Sequence, residues 1–326
     1  MGSTQSQGDY DRSALVIYED VLRQPCLLPD VGIDASLLNY SGSDSNAVLK
    51  AFSNEMLNMV PGYTRTIASV FGPLTLVPNA VGLGALVISM LIEIAIKSST
   101  QNVDTCALLR RVFGEEKASS VRDTMSEYLK RHRVYIDNDQ RLQGEIRRLE
   151  QQLSNHLTVL RNSLLHDGQM SSRGFKIWVN GAAFHVQMLI HEARLGIKAG
   201  KPPSDYDVKA IKGAIDLYLL YLDPLLKEYK TYKINSNMFK YRSVFSIPQH
   251  ISICHMQNNE IKSCSRDVDS RPSPCAIPEV MISFMDIVYS NYEPIKGLKS
   301  YFLNIKNNLN SQIHEKGSFP VPSAAG

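Results

Sequence analysis

The sequence predicts a mainly α protein: a long-helix bundle with an apolar helical hairpin and one small β-hairpin. Three observations predict it. Residues 66–92 carry no charge. Residues 104–166 hold no proline and a single apolar stripe at helical spacing. Two later stretches, opening near residues 175 and 205, repeat that spacing between clear stop signals. A chain of 326 residues, 44% hydrophobic and 21% charged, is also long enough and apolar enough to bury a sizeable core.

Charge narrows the function classes. Thirty-five Lys and Arg against 32 Asp and Glu leave a net charge of +3, too small to predict a nucleic-acid partner. The basic surplus is local: residues 171–243 hold twelve basic side chains against six acidic, whereas residues 1–65 hold four against eight. Five cysteines do not make a disulfide-dense scaffold.

Residues 1–50 read as an acidic, partly flexible segment without a secretory signal. Met1-Gly2-Ser3-Thr4-Gln5-Ser6 fits M-G-x-x-x-[ST], which makes Gly2 the candidate for N-myristoylation; the plain alternative is an unmodified start. One myristoyl chain binds membranes only marginally, on the order of 10⁴ M⁻¹, so a second membrane signal is needed.

The charge-free strip is the candidate for that signal. A helix crossing ~30 Å of hydrocarbon needs about 20 apolar residues. Here Thr66 to Ile92 supplies 27 uncharged ones, bounded by Arg65, Glu93 and Lys97. Pro73, Pro78 and Asn79 interrupt a single span, so the strip reads as two pieces, Ile67–Val77 and Ala80–Ile96, bent at Pro78-Asn79. The membrane-inserting candidates are Phe71, Leu74, Leu76, Val77, Val81, Leu83, Leu86, Val87, Ile88, Leu91 and Ile92. Ala80 and Gly84, and again Ala85 and Ser89, lie four apart, the spacing of small residues at which helices approach closely in membranes. The other reading makes the strip the central helix of a bundle, apolar all round because neighbours cover it.

Helix follows over 104–166. Leu142, Ile146, Leu149, Leu153, Leu157, Leu160 and Leu164 step by 4, 3, 4, 4, 3 and 4, one stripe of the kind that packs a helix by one face, as in a coiled coil. Gly144 and the run Asp137-Asn138-Asp139 are the places where it would break in two. A helix from Phe175 to Ala199 stops at Gly200-Lys201-Pro202-Pro203, and another, capped by Ser204 or Asp205, reaches about Tyr232 with a kink at Pro224. Its tyrosines, Tyr218, Tyr221, Tyr229 and Tyr232, lie among Lys227, Lys230 and Lys233, either as a headgroup-level belt or as an ordinary helix rim. Residues 51–243 thus form the bundle. Residues 244–278 are loop with a β-hairpin, Ile251–Met256 against Glu260–Cys264. Residues 279–316 return to helix, bent at Pro294, and 317–326 read as a disordered tail.

Chemistry yields near misses. Gly196-Ile197-Lys198-Ala199-Gly200-Lys201-Pro202 has one residue too few between its glycines for a phosphate loop, and Pro where Ser or Thr belongs. Cys254, His255, Cys264 and Cys275 lack the short ligand pairs of a zinc site; a Cys254–Cys264 disulfide is expected only of an exported chain. His166, His185 and His191 have no nucleophile at a recognisable elbow. No enzyme, cofactor or metal is expected.

One resemblance follows from the order of segments: an apolar Gly/Pro-containing strip, a long charged helix, then RNSLLHDGQMSSRGFKIWVNGAAFHVQMLIHEARLG and a Tyr/Lys-rich helix. Over residues 50–240 this resembles the fish rapunzel and cephalotoxin-like proteins, which implies a helical protein with a membrane-capable segment and no catalytic residues to carry over. The layout is also similar in kind to α-helical pore-forming proteins. The leading expectation is therefore a membrane-associating helical protein, pore-forming or only anchored, on the cytoplasmic side, or secreted without a signal peptide, with the lipid membrane and copies of itself as partners. The alternative is a soluble helical interaction scaffold with 66–96 as buried core.

Overall fold

The structure, a computed structural model, describes residues 6–23, 28–100, 119–201, 205–242, 250–257, 260–262 and 277–322. It is a mainly α bundle with two small antiparallel sheets. In chain order come α1 (Gln7–Leu22), α2 (Ala35–Tyr40), α3 (Ser45–Met59), α4 (Tyr63–Phe71), β1 (Leu76–Pro78), α5 (Leu83–Thr100), α6 (Ser120–Val134), α7 (Asp139–His166), α8 (Ser172–Lys198) and α9 (Asp205–Ser236). β2 (Asn237–Arg242), β3 (His250–Gln257) and β4 (Glu260–Lys262) follow, then α10 (Ile277–Asn291), α11 (Glu293–Asn307), α12 (Leu309–His314) and β5 (Ser318–Pro320).

The centre is α8, buried along most of its length from Gly174 to Gly196. The Ser171 side chain accepts from the Gly174 N–H and starts it. α7 lies along α8 and delivers the expected stripe: Leu142, Ile146, Leu149, Leu153, Leu157 and Leu164 are buried, and Leu160 is half-buried. α6 and α7 are separate because Asn138 accepts from the Arg141 N–H and caps the second helix, so the polar run breaks the chain while Gly144 stays helical. Residues 101–118, the first part of the expected long helix, lie outside the described residues.

α9 continues through Pro224 and joins α11 by the ion pairs Lys306–Asp216 at 2.5 Å and Lys299–Asp223. The last expected helix is three: Pro294 sits in the first turn of α11, where a missing N–H costs nothing, and Asn308 separates α11 from α12. β3 and β4 form the expected hairpin, Gln257 opposite Glu260, with β2 paired to the far edge of β3. Cys264 and Cys275 lie outside the described residues.

Two expectations are corrected. The first apolar piece is not helical to Val77: α4 ends at Phe71, before Gly72-Pro73, and Leu76–Pro78 is a strand. The tail is not disordered at its start, because Ser318–Pro320 pairs with Leu76–Pro78 in the register Leu76–Pro320, Val77–Phe319 and Pro78–Ser318. Within the N-terminal segment, α1 packs along α10 and buries Ala14, Ile17, Tyr18 and Val21.

Candidate functional site

The apolar strip lies inside the bundle. Ala80 through Ile92 are buried without a break, and α5 is covered by α2, α3, α4 and α8. Among the membrane-inserting candidates, Phe71, Val77, Val81, Leu83, Leu86, Val87, Ile88, Leu91 and Ile92 belong to the core, Leu74 is half-buried, and Leu76 is 52% exposed. No helix among the described residues is long and apolar enough to cross a membrane.

The small residues serve contacts within the chain. Ala80 precedes α5, so Ala80 and Gly84 are not neighbours on one helix. A Cβ on Gly84 would stand 2.0 Å from the Asn79 carbonyl oxygen and 3.7 Å from His191. Ala85 is buried, and Ser89 donates to the Leu86 carbonyl at 2.8 Å. Gly2 lies outside the described residues.

A C-terminal clip fastens the start of α5. The Ala80 N–H donates to Gly317 O at 3.2 Å, and the Val321 N–H donates to Thr75 O at 3.0 Å. Phe319 is buried, its ring 6.2 Å from that of Phe71. The Glu315 carboxylate accepts from Ser45 Oγ at 2.9 Å and from Arg194 Nη2 at 2.9 Å, while Ser45 Oγ accepts from the Gly82 N–H at 2.7 Å. Arg194 Nε donates to Gln312 O at 2.6 Å, and Gln312 Nε2 donates to Ser41 O at 2.8 Å.

Beneath the clip lies a buried polar cluster on α6 and α8. Tyr128 Oη and His191 Nδ1 are 2.7 Å apart, and the His132 and His191 rings are 5.6 Å apart. Neither His132 ring nitrogen, His191 Nε2, nor Arg194 Nη1 has a hydrogen-bond partner among the described residues. Burial sets the titration. It pulls His132 down to about 4 against the opposing pull of Asp139. It holds His191 well below the usual imidazole range, helped by His132 and Arg194. Burial also lowers Arg194 to about 10 and raises Glu315, the two charges partly restoring one another.

Beside the clip opens a cleft of 650 Å³ between the loop before α5, the end of α8 and the 313–318 segment. Arg194, Lys198 and Lys316 reach it, and Leu76, Val81 and Ile197 are among its apolar walls. Lys198 pairs with Asp139 at 2.5 Å, and Asp139 also accepts from Asn79 Nδ2 at 2.7 Å.

The remaining candidates have structural places. His185 Nε2 meets Glu150 at 2.7 Å, and His166 ends α7. Tyr218 and Tyr229 are core residues against Trp178 and Phe175, while Tyr221 lies under the Arg161 guanidinium at 3.9 Å. No group of three or more His, Cys, Asp or Glu among the described residues could hold a metal ion. No motif singles out the cluster around Arg194 in the sequence. Its signal was present: Phe184, Gln187, Met188, His191, Arg194 and Leu195 repeat at core spacing with three polar members. Compared with protein-family models, curated proteins and solved structures, the chain matches none.

Proposed function

We propose that the chain is a helical interaction scaffold, without catalytic chemistry of its own, in which residues 66–96 are core. The unbroken burial of Ala80–Ile92 carries this reading, because the apolar demand of the strip is met inside the chain. The magnitude favours it too. Val81, Leu83, Leu86, Val87, Ile88, Met90, Leu91 and Ile92 are all at most 6% exposed. Returning these eight side chains to water at roughly 1.5–3 kcal/mol each would cost about 12–24 kcal/mol. That matches or exceeds the whole stability of an ordinary domain, about 5–15 kcal/mol, so the strip does not leave the core in water alone.

One observation favours a second reading, membrane association. The start of α5 is tied down in part by a distant, short clip, and another apolar phase could replace the core once the clip opened. With that reading goes the proposed kinship to the rapunzel and cephalotoxin-like proteins.

Vesicle flotation decides between the two. The scaffold reading expects no flotation with neutral or acidic lipid vesicles. The membrane reading expects flotation that is lost when a Val77→Cys, Phe319→Cys pair is oxidised to lock β1 to β5, and that returns on reduction. Dye release from the same vesicles separates a pore from an anchor. Self-association through helices is proposed with either reading, and light scattering of the purified chain tests it.

A further inference from the structure

We propose that α9 and α11 together form a face on which a second copy of this chain docks, the two copies being related by a two-fold axis along the seam between these helices. The inference rests on the self-association proposed above and gives it a face and a geometry. The helices run antiparallel along the seam, joined by Asp216–Lys306 at one height and Asp223–Lys299 at another. The two pairs are seven residues apart on each helix, roughly 10 Å. Between them lie Leu220, 66% exposed, and Leu303, 45% exposed, and Leu217 beside them on α9 is 48% exposed. A single exposed leucine is ordinary, whereas three gathered at one pair of ion pairs form a patch.

Helical spacing sets the pattern. Positions 216, 220 and 223 share one edge of α9, and 299, 303 and 306 share the facing edge of α11. From 213 to 226 on α9 and from 297 to 310 on α11, these two aspartates and two lysines are the only charged residues. Each already has its partner within the chain, so covering the face strands no unpaired charge. The pattern also fits itself. One row reads Asp216, Leu220, Asp223, and the row beside it reads Lys306, Leu303, Lys299. Turning a second copy by 180° about the seam lays its acidic row on the basic row of the first, and the reverse, as an isologous contact requires. Leu220 of each copy then covers Leu303 of the other. The exposed residues farther out, Gly213 and Pro224 on α9 and Ser300 and Asn304 on α11, oppose this with no charge. The match ends where Lys227 would face Lys296, whose charge Glu293 takes up at 2.8 Å. A face of this extent makes a weak dimer, with Kd about 10–100 μM.

The test is sedimentation velocity of the full chain at concentrations from about tenfold below to tenfold above that range. A monomer–dimer equilibrium is expected. Leu220→Asp and Leu303→Asp, both at exposed positions, should leave Tm unchanged and raise the dimer Kd at least about tenfold. If Leu303→Asp does not fold, Leu220→Asp decides. Cross-linking then tests the axis. Oxidising a mixture of Leu220→Cys chains and Leu303→Cys chains should join one to the other above the wild-type blank, and neither variant should cross-link with itself. A dimer indifferent to both Asp variants overturns this face and leaves self-association standing. A wild type that stays monomeric throughout overturns both. Self-cross-linking of Leu220→Cys without the mixed product overturns the two-fold axis along the seam. A monomeric wild type whose binding to acidic-lipid vesicles is lost in Leu220→Asp would give the face to lipid and overturn the second copy as its occupant.

Discussion

Single positions separate residues that are small by necessity from residues that are small by accident. Gly84 faces backbone: an added Cβ would lie 2.0 Å from the Asn79 oxygen, and carbonyls do not move aside cheaply. Gly84→Ala should therefore lower stability by about 1–3 kcal/mol or more. Gly144 meets nothing within 4 Å on an α-helix, so Gly144→Ala should raise stability by about 0.5–1 kcal/mol. Urea midpoints of the two variants read the contrast directly. The histidines make a second prediction. His132 and His191 are buried as neutral imidazoles, whereas the unfolded chain takes up their protons near pH 6.5. Their folded values are depressed, so stability is intact above that pH and falls as acid carries the solution down through about 4. His132 alone accounts for roughly 3 kcal/mol over that range. Glu315 acts in the opposite sense: its raised carboxyl gives up stability as pH rises past its unfolded value, which offsets part of the histidine effect. His132→Met should flatten the loss of stability between pH 6.5 and 4, measured by urea unfolding across that range. In the sequence the small residues stood out, but spacing alone could not say whether a backbone or another helix fills the space they leave.

Elements with a strong local period were legible; elements made by distant pairing were not. The 4-3-4-4-3-4 stripe of α7 repeats for six turns and needs no partner to be seen, and the stop after α8 is written in Gly200-Lys201-Pro202-Pro203. Truncation along that stripe should follow burial. Leu149→Ala and Leu153→Ala should each cost about 2–5 kcal/mol, and half-buried Leu160→Ala distinctly less. β1 and β5 are three residues each, contain proline, and lie about 240 positions apart, so neither has a period to detect. The 52% exposure of Leu76 beside fully buried Val77 is the strand's alternation, hidden in a run that looks uniformly apolar. Because Phe319 is 1% exposed, Phe319→Ala should cost about 3–5 kcal/mol in chemical unfolding, whereas truncation of a free tail would cost nothing.

Over the whole molecule, one continuous apolar cluster runs from α1 through α5 and α8 to Phe319, so α5 has no private interior to leave from. That makes its opening free energy a property of the entire bundle. In native-state hydrogen exchange, the amides of Leu86–Ile92 should belong to the same slowest class as those of Val179–Met188 and report the same free energy as global unfolding. A hairpin stored for release behaves otherwise. It opens sub-globally, at lower free energy than α8, and cross-linking β1 to β5 raises α5 alone. The two outcomes differ in kind, since the first ties α5 to α8 at every denaturant concentration and the second splits them as denaturant falls. Equal protection of the two helices in water, unchanged by the cross-link, is the expected result. A separate and weaker α5 would count against the scaffold reading before any vesicle is added.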